Sequence, residues 1–86
     1  EKIILDRKLH PRTESYTSRL FDEGLNRITQ KVGEEAIEVV IAAMDDNTER
    51  LKSEIADLLY HLLVMLSAKE VSLTEVLEVL EARDEN

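Results

Sequence analysis

Two long segments of the chain carry apolar residues at the spacing of an α-helix, and this periodicity restricts the chain to helical folds. In the first segment, from about Leu25 to Met44, one broad face is formed by Ile28, Val32, Ala36, Val39, Val40 and Ala43. In the second, from about Thr48 to Lys69, the apolar stripe consists of Leu51, Ile55, Leu58, Leu59, Leu62, Leu63 and Leu66. The sequence shows no strand pattern and contains only two glycines and one proline. We therefore predict an all-α helical bundle formed by one domain, residues 1–86.

Shorter helices and their caps complete the prediction. Residues 1–9 resemble the end of a helix that His10-Pro11 breaks, because proline disfavours helix at the residue before it. Ser15 is suited to cap a helix from about Tyr16 to Glu23, with Gly24 in a left-handed position at its end. Asp46 with Glu49 and Ser72 with Glu75 have the spacing of capping boxes. The last box opens a helix expected to turn four residues inward: Leu73, Val76, Leu77 and Leu80. The bundle thus has four to five helices.

The first long helix has more apolar surface than a chain of this size can cover. Ile37, Ile41 and Met44 widen its apolar arc, and a helix that is apolar over most of its circumference is buried on several sides. Gly33 lies inside this helix, where a glycine costs about 1 kcal/mol relative to alanine, so close approach of another backbone or of a ligand would explain it. We expect a partner subunit to complete the burial, as in a homodimer.

The composition narrows the classes of function. The formal net charge is −8, so the basic stripe that a nucleic-acid partner needs is missing. There is no cysteine, which excludes disulfides, zinc–thiolate sites and a thiol nucleophile. No apolar run approaches the length of a membrane span, and nothing at the start resembles a secretory signal. A cytoplasmic protein without a nucleic-acid or membrane partner is therefore expected.

Two acidic clusters carry the main functional prediction. They are Glu34-Glu35-Ala36-Ile37-Glu38 on the first long helix and Glu54-Ile55-Ala56-Asp57 on the second. Each holds carboxylates three residues apart, which share a helix face, and the short turn makes the two helices antiparallel neighbours. Such a set of oxygens suits Mg²⁺, with Mn²⁺ as a possible substitute. The alternative is a pair of solvated charged faces, but Glu54 and Asp57 border an apolar stripe, where an uncompensated charge costs free energy.

Several polar residues near these clusters have two open interpretations. Lys31 and Arg27 precede Glu35 on the same face, and they either form ordinary ion pairs or bind phosphate. Ser15 and Thr17 lie at a helix start, where hydroxyls and backbone N–H groups either cap the helix or receive a phosphate. His61, one turn after Asp57, could contact a phosphate, orient the carboxylate or bond between helices.

These residues together resemble the phosphoribosyl-ATP pyrophosphohydrolase family of histidine biosynthesis, which belongs to the MazG-like all-α nucleoside-triphosphate pyrophosphatases. The motif of the broad group, EExxE followed by ExxD, is matched by Glu34, Glu35 and Glu38 and then by Glu54 and Asp57. The narrower family is indicated by Ser15-Tyr16-Thr17, Gly24, Gln30-Lys31-Val32-Gly33-Glu34-Glu35-Ala36 and Ala56-Asp57-Leu58-Leu59-Tyr60-His61. The similarity covers nearly the whole chain.

The resemblance implies a MazG-like fold, a homodimer and Mg²⁺-dependent hydrolysis of phosphoribosyl-ATP to phosphoribosyl-AMP and pyrophosphate. It implies the metal ligands Glu35, Glu38, Glu54 and Asp57, with Glu34 as a supplementary ligand or water-orienting group. The implied catalytic residues are Glu34, Glu38 and Lys31. The implied substrate-binding residues are Ser15, Tyr16, Thr17, Arg27, Lys31 and His61, and Arg7, Lys8 and Arg19 are weaker candidates for the ribose phosphate.

Two other functions remain open at the level of the sequence. A relative that hydrolyses dUTP or non-canonical nucleoside triphosphates would need the same carboxylates, because they are indifferent to the base. A non-catalytic helical dimerisation module would carry acidic faces without any metal-dependent activity.

Overall fold

The chain folds into an all-α bundle, as predicted. The structure is a computed structural model that describes residues 15–84, and in this range it contains four helices and no strand. The helices are α1 (Tyr16–Glu23), α2 (Leu25–Ala43), α3 (Thr48–Ala68) and α4 (Leu73–Asp84). The helix predicted for residues 1–9, its break at His10-Pro11, and Arg7 and Lys8 lie outside the described residues. None of the described helices is long and apolar enough to cross a bilayer.

A single glycine joins α1 to α2. Ser15 is extended, and its Oγ accepts a hydrogen bond from the N–H of Ser18 at 3.3 Å, which caps α1 as predicted. Gly24 has φ 95° and ψ 178°, a conformation open essentially to glycine alone. Its N–H donates to the carbonyl of Leu20 (3.1 Å) and its carbonyl accepts from the N–H of Ile28 (3.2 Å). Gly24 therefore caps both the end of α1 and the start of α2, and this short connection restricts the angle between the two helices.

The turn between α2 and α3 is capped by Asn47, and the predicted capping box of Asp46 with Glu49 is wrong. Asn47 is extended, with φ −104° and ψ 92°, and its side-chain oxygen accepts from the N–H of Arg50 at 3.0 Å. Because α3 begins at Thr48, the capping position falls on Asn47, one residue after the predicted one.

The core lies where α1, α2 and α3 meet. Leu20, Ile28 and Val64 are almost fully buried and form one cluster, one residue from each of the three helices. The most extensive packing is between α2 and α3, and α1 packs on α2. The packing of α2 against α3 therefore determines which of their side chains come close together.

The predicted apolar faces of the long helices are covered only in part. Most of their residues are buried or half-buried, namely Ile28, Val32, Ala36 and Val39 on α2 and Leu51, Leu58, Leu62, Leu63 and Leu66 on α3. On α2 the buried residues are Ile28 and Ala42, whereas Ile37, Val40, Ile41 and Met44 are 62, 65, 48 and 85 % exposed. On α3 the buried residues are His61 and Val64, while Ile55 and Leu59 of the predicted inward stripe are exposed. The exposed residues lie on the part of each broad apolar arc that no other described helix covers.

The last helix is also less covered than predicted. The capping box of Ser72 and Glu75 is present in both directions, with bonds of 3.2 and 3.1 Å. However, α4 has no buried residue, and its predicted inward side chains, Leu73, Val76, Leu77 and Leu80, are 37–54 % exposed. The inward placement is therefore wrong for the described part of a single chain, because no other described helix covers that face.

Gly33 has no close neighbour within the described chain. A Cβ built at this position would meet nothing within 4 Å, so close backbone approach inside the chain does not explain the glycine. On the helical wheel Gly33 lies between Ile37 and Val40, on the exposed apolar side of α2.

Candidate metal site and its surroundings

Three carboxylates from the two long helices converge on one point. Glu35 of α2 and Glu54 and Asp57 of α3 each place one oxygen so that the three lie within 4.8 Å of one another. Ligand oxygens on opposite sides of a Mg²⁺ ion are about 4 Å apart, so a small adjustment would bring these oxygens to coordinating distances. Glu35 and Glu54 are half-buried and Asp57 is exposed, which leaves the group open on one side. The acidic clusters of the sequence thus meet across the zone between α2 and α3.

Glu38 stands apart from this group. Its Oε2 lies 3.6 Å from Nη2 of Arg50, whose Nη1 is 2.9 Å from Oδ2 of Asp45. Arg50 was not among the predicted site residues. A sequence signal existed, because Arg50 precedes Glu54 by one helical turn and so shares its face.

Lys31 provides positive charge at the other end of the carboxylate group. Its Nζ lies 3.4 Å from Glu35 and 3.5 Å from Glu34. Burial acts against the ammonium, but the hydrogen bond to Glu35 and the nearby negative charges outweigh it and raise the pKa of Lys31 above 10.5. Lys31 therefore stays charged beside the carboxylates at neutral pH.

Glu34 points toward solvent rather than toward the three carboxylates. Its carboxylate accepts a hydrogen bond from Gln30 Nε2 at 3.1 Å and pairs with Lys31. The bond from Gln30, followed by the charge of Lys31, holds the pKa of Glu34 below 4.5. Glu34 is therefore ionised at neutral pH and lies one residue before a carboxylate of the central group.

A partly buried polar cluster connects α1 to the acidic helix α3. We call Tyr16, Thr17, Tyr60 and His61 the polar junction. The Tyr16 hydroxyl lies 2.8 Å from Nε2 of His61, and Nδ1 of His61 lies 2.7 Å from the carbonyl oxygen of Asp57. A carbonyl can only accept, so Nδ1 carries the proton, and in the neutral ring Nε2 accepts from Tyr16. Thr17 Oγ1 is hydrogen-bonded to the hydroxyl of Tyr60.

The predicted substrate-binding residues in the polar junction differ in their exposure to solvent. His61 and Thr17 are buried, at 5 and 6 % exposure, whereas Tyr16 is 38 % exposed. Burial raises the pKa of the Tyr16 phenol, while the charges of Lys31 and Arg27 act in the opposite direction. Tyr16 is therefore the most accessible member of the polar junction, close to the cations of α2.

Two arginines lie near Tyr16. The guanidinium of Arg19 lies 5.8 Å from the centre of the Tyr16 ring, within cation–π range. Arg27 Nε pairs with Glu23 at 3.5 Å, at the exposed junction of α1 and α2. The neighbourhood of Tyr16 thus contains three cationic side chains, Arg19, Arg27 and Lys31.

Comparison with known families shows where the chain belongs. The family model described as phosphoribosyl-ATP pyrophosphohydrolase matches residues 1–84. The chain belongs to this family. The matched range contains both acidic clusters and the polar junction of this chain.

Individual relatives agree with the family assignment. The chain is 56 % identical to a phosphoribosyl-ATP pyrophosphatase of Streptococcus gordonii, over 92 % of this chain and 76 % of the relative. It is 54 % identical to one from Listeria monocytogenes, over 91 % of this chain and 75 % of the relative. It is also 51 % identical to a histidine biosynthesis bifunctional protein of Halalkalibacterium halodurans, over 96 % of this chain but only 39 % of that protein. Some members of the phosphoribosyl-ATP pyrophosphohydrolase family are thus parts of longer chains.

Proposed function

We propose that this chain hydrolyses phosphoribosyl-ATP to phosphoribosyl-AMP and pyrophosphate in histidine biosynthesis, with Mg²⁺ as its cofactor and Mn²⁺ as a possible substitute. Water is added across the anhydride bond between the α- and β-phosphorus, which breaks, so that phosphoribosyl-AMP and pyrophosphate are released. The observation that carries the proposal is the convergence of Glu35, Glu54 and Asp57 in a chain of this family. We take residues 1–86 as one catalytic domain.

The donor set fits a hard divalent cation. All three converging groups are carboxylates, and magnesium and manganese prefer such oxygen ligands. Glu35, Glu54 and Asp57 would hold the ion, Glu38 would be the fourth ligand, and Glu34 a supplementary one. Bound there, the ion would neutralise phosphate charge and increase the acidity of a coordinated water.

The remaining steps belong to side chains around the carboxylates. Glu34 and Glu38 are the candidates for orienting the attacking water and accepting its proton. Lys31, held at Glu35 by a 3.4 Å contact, would offset the negative charge that develops on the phosphates. No covalent intermediate is required, because water is the nucleophile.

The substrate-binding residues fall into two groups by exposure. Ser15, Tyr16, Arg27 and Lys31 have solvent-accessible surface, so we assign them direct contact with the nucleotide. His61 and Thr17 are buried and bonded to other members of the polar junction. We therefore assign both a positioning role: His61 orients Tyr16 and contacts the carbonyl of Asp57, and Thr17 orients Tyr60.

We further propose that two copies of the chain form a homodimer and that the dimer functions in the cytoplasm. The support for the dimer is the apolar surface on the side of α2 turned away from α3, formed by Ile37, Val40, Ile41 and Met44. A small domain that exposes this much apolar surface gains stability by self-association, and two-fold dimers are the commonest solution. Sedimentation analysis would test the dimer, and fractionation of the source cells its location.

The activity is tested by incubating the purified protein with phosphoribosyl-ATP and Mg²⁺ and measuring pyrophosphate. ATP, dUTP and other nucleoside triphosphates serve as competing substrates in parallel reactions. We expect preference for phosphoribosyl-ATP and loss of activity on chelation, restored by Mg²⁺ or Mn²⁺. A preference for a simple triphosphate would overturn the substrate, and absence of any metal-dependent pyrophosphate release would overturn the enzymatic function.

A further inference from the structure

Arg50 holds two carboxylates at one end of the site, and only one of them belongs to the proposed ligand set. The contact with Asp45 is short, at 2.9 Å, and joins Arg50 to the turn between α2 and α3. The contact with Glu38 is longer, at 3.6 Å, and crosses from α3 to α2. The backbone N–H of Arg50 donates a hydrogen bond to the side chain of Asn47, which holds the main chain in place. The guanidinium is free to change its carboxylate partners.

Glu38 is within one helical turn of the converging carboxylates but is not one of them. It follows Glu35 by three residues on α2, and its partner Arg50 precedes Glu54 by four residues on α3. Both pairs share a face, so Glu38 and Arg50 lie beside the group of Glu35, Glu54 and Asp57. A change of side-chain rotamer at Glu38 is the motion that would take its carboxylate from Arg50 to this group.

We propose that Arg50 is a positioning residue that competes with the divalent cation for Glu38. In the metal-free protein Arg50 keeps Glu38 away from Glu35, Glu54 and Asp57 and so limits the like-charge repulsion among them. When a cation binds, Glu38 leaves Arg50 for the metal, and Arg50 remains attached to Asp45. This inference rests on the proposed function, because it assumes that the carboxylates bind a metal.

The energetics favour an exchange of this kind. The Arg50 and Glu38 side chains are 39 and 47 % exposed, and ion pairs of this exposure are weak. A weak ion pair lowers the affinity for the metal only slightly, so its removal should increase that affinity by about two- to fivefold. The remaining contact with Asp45 keeps the guanidinium near the site after the exchange.

The test is a double-mutant cycle read out by calorimetric titration of the nucleotide-free protein with Mn²⁺. The variants are Arg50→Ala, Glu38→Gln and the double variant, with Lys52→Ala as the matched control. Lys52 is a cation on the same helix that pairs with Glu49 at 3.1 Å rather than with a predicted ligand. We expect Arg50→Ala to lower the Kd for Mn²⁺ by about two- to fivefold. The same substitution should have no effect in the Glu38→Gln background, and Lys52→Ala should bind as the wild type does.

Three results would overturn the inference. Arg50→Ala could bind Mn²⁺ as the wild type does, it could bind more tightly even when Glu38 is absent, or Lys52→Ala could match its effect. The last two would mean that removal of any nearby positive charge is sufficient. Circular dichroism confirms folding, and Arg50→Gln replaces Arg50→Ala if the alanine variant unfolds.

Failure of the inference is distinguishable from failure of the proposed function. If the wild type hydrolyses phosphoribosyl-ATP and Glu35→Gln loses Mn²⁺ binding while Arg50→Ala changes nothing, only the role of Arg50 is wrong. If Glu35→Gln binds Mn²⁺ as the wild type does, the assigned metal site is wrong and the role of Arg50 falls with it, whereas the hydrolytic activity is decided separately by the pyrophosphate assay.

Discussion

We call the side of α2 and α3 that carries the converging carboxylates and the polar junction the inner side, and the exposed apolar side of α2 the outer side. The two differ in how many of their side chains find partners within one chain. On the inner side, charged and polar groups find partners within the chain, such as Lys31 with Glu35 and Tyr16 with His61. Among the described residues, no buried side-chain nitrogen or oxygen lacks a hydrogen-bond partner. On the outer side of α2, Ile37, Val40, Ile41 and Met44 remain exposed. A single chain therefore brings the residues of the candidate site together but leaves this apolar surface exposed.

The largest expected effect is on the inner side, where Glu35→Gln or Asp57→Asn removes one charge from the converging carboxylates. We expect kcat to fall by about 100-fold or more, the loss typical when a group that stabilises the transition state is removed. Without metal, the folded protein should be as stable as the wild type or slightly more stable, because like-charge repulsion is relieved. Pyrophosphate release and urea denaturation measure the two effects.

Glu49→Gln provides the matched control for these two substitutions. Glu49 is an exposed carboxylate on α3, the helix of Asp57, and it pairs with Lys52 rather than joining the three converging oxygens. Near-wild-type turnover is expected. If Glu35→Gln and Asp57→Asn also retained wild-type turnover, the site assignment would be wrong.

The next effect concerns the outer side, where Val40→Asp places a charge on the surface proposed for the dimer. We expect dissociation into monomers and a lower melting temperature that no longer depends on protein concentration. Analytical ultracentrifugation and thermal scans at several concentrations would show both changes. Val40→Ile, which keeps the position apolar, should remain dimeric. Unchanged association of Val40→Asp would mean that this surface is not the interface.

The contrast between the two sides also shows what could be predicted from the sequence. Helix positions followed from periodicity and caps, because these depend on residues near one another in the chain: Ser15, Gly24 and the pair Ser72–Glu75 all lie where predicted. Convergence of Glu35, Glu54 and Asp57 followed from i,i+3 spacing and a short turn.

The phase of helix packing could not be predicted in the same way. The apolar arc of α2 covers most of its circumference, so periodicity does not indicate which part of the arc meets α3. The structure places Ile28 and Ala42 inside and Ile37 outside, and it exposes Leu59 of the stripe predicted for α3. The ion pair of Glu38 with Arg50 was missed for a related reason, because it joins different helices at a distance set by that packing.

A moderate effect is expected at the polar junction, which belongs to the inner side. Tyr16→Phe removes the donor to Nε2 of His61 and leaves a buried acceptor without its partner, so the free energy of unfolding should fall by about 1–2 kcal/mol. Urea denaturation measures the loss. In a His61→Phe background the same substitution should cost much less, because the acceptor is already gone. Equal losses in both backgrounds would mean that the Tyr16–His61 contact does not stabilise the fold.

A smaller effect is expected for Lys31→Met, and it should depend on pH. Pairing with Glu35 raises the pKa of Lys31 in the folded chain, so its stabilisation is fully present below pH 10.5 and is lost as the pH rises through the folded value. At pH 7 the substitution should cost about 1 kcal/mol or less. The difference in unfolding free energy from the wild type should shrink above pH 10.5. A difference that stays constant into alkaline solution would assign the loss to packing of the lysine stem.

The smallest expected effect tests whether the outer side is covered at Gly33. Within the chain a Cβ at this position meets nothing within 4 Å, so Gly33→Ala should stabilise an isolated helix by up to about 1 kcal/mol. Because Gly33 lies between Ile37 and Val40 on the wheel, a partner helix that packs closely there would oppose this gain. We therefore expect the full gain in the monomeric Val40→Asp background and a smaller gain, or a loss, in the wild-type dimer. Urea denaturation of both pairs at matched concentration gives the comparison, and equal gains in both backgrounds would place the partner away from Gly33.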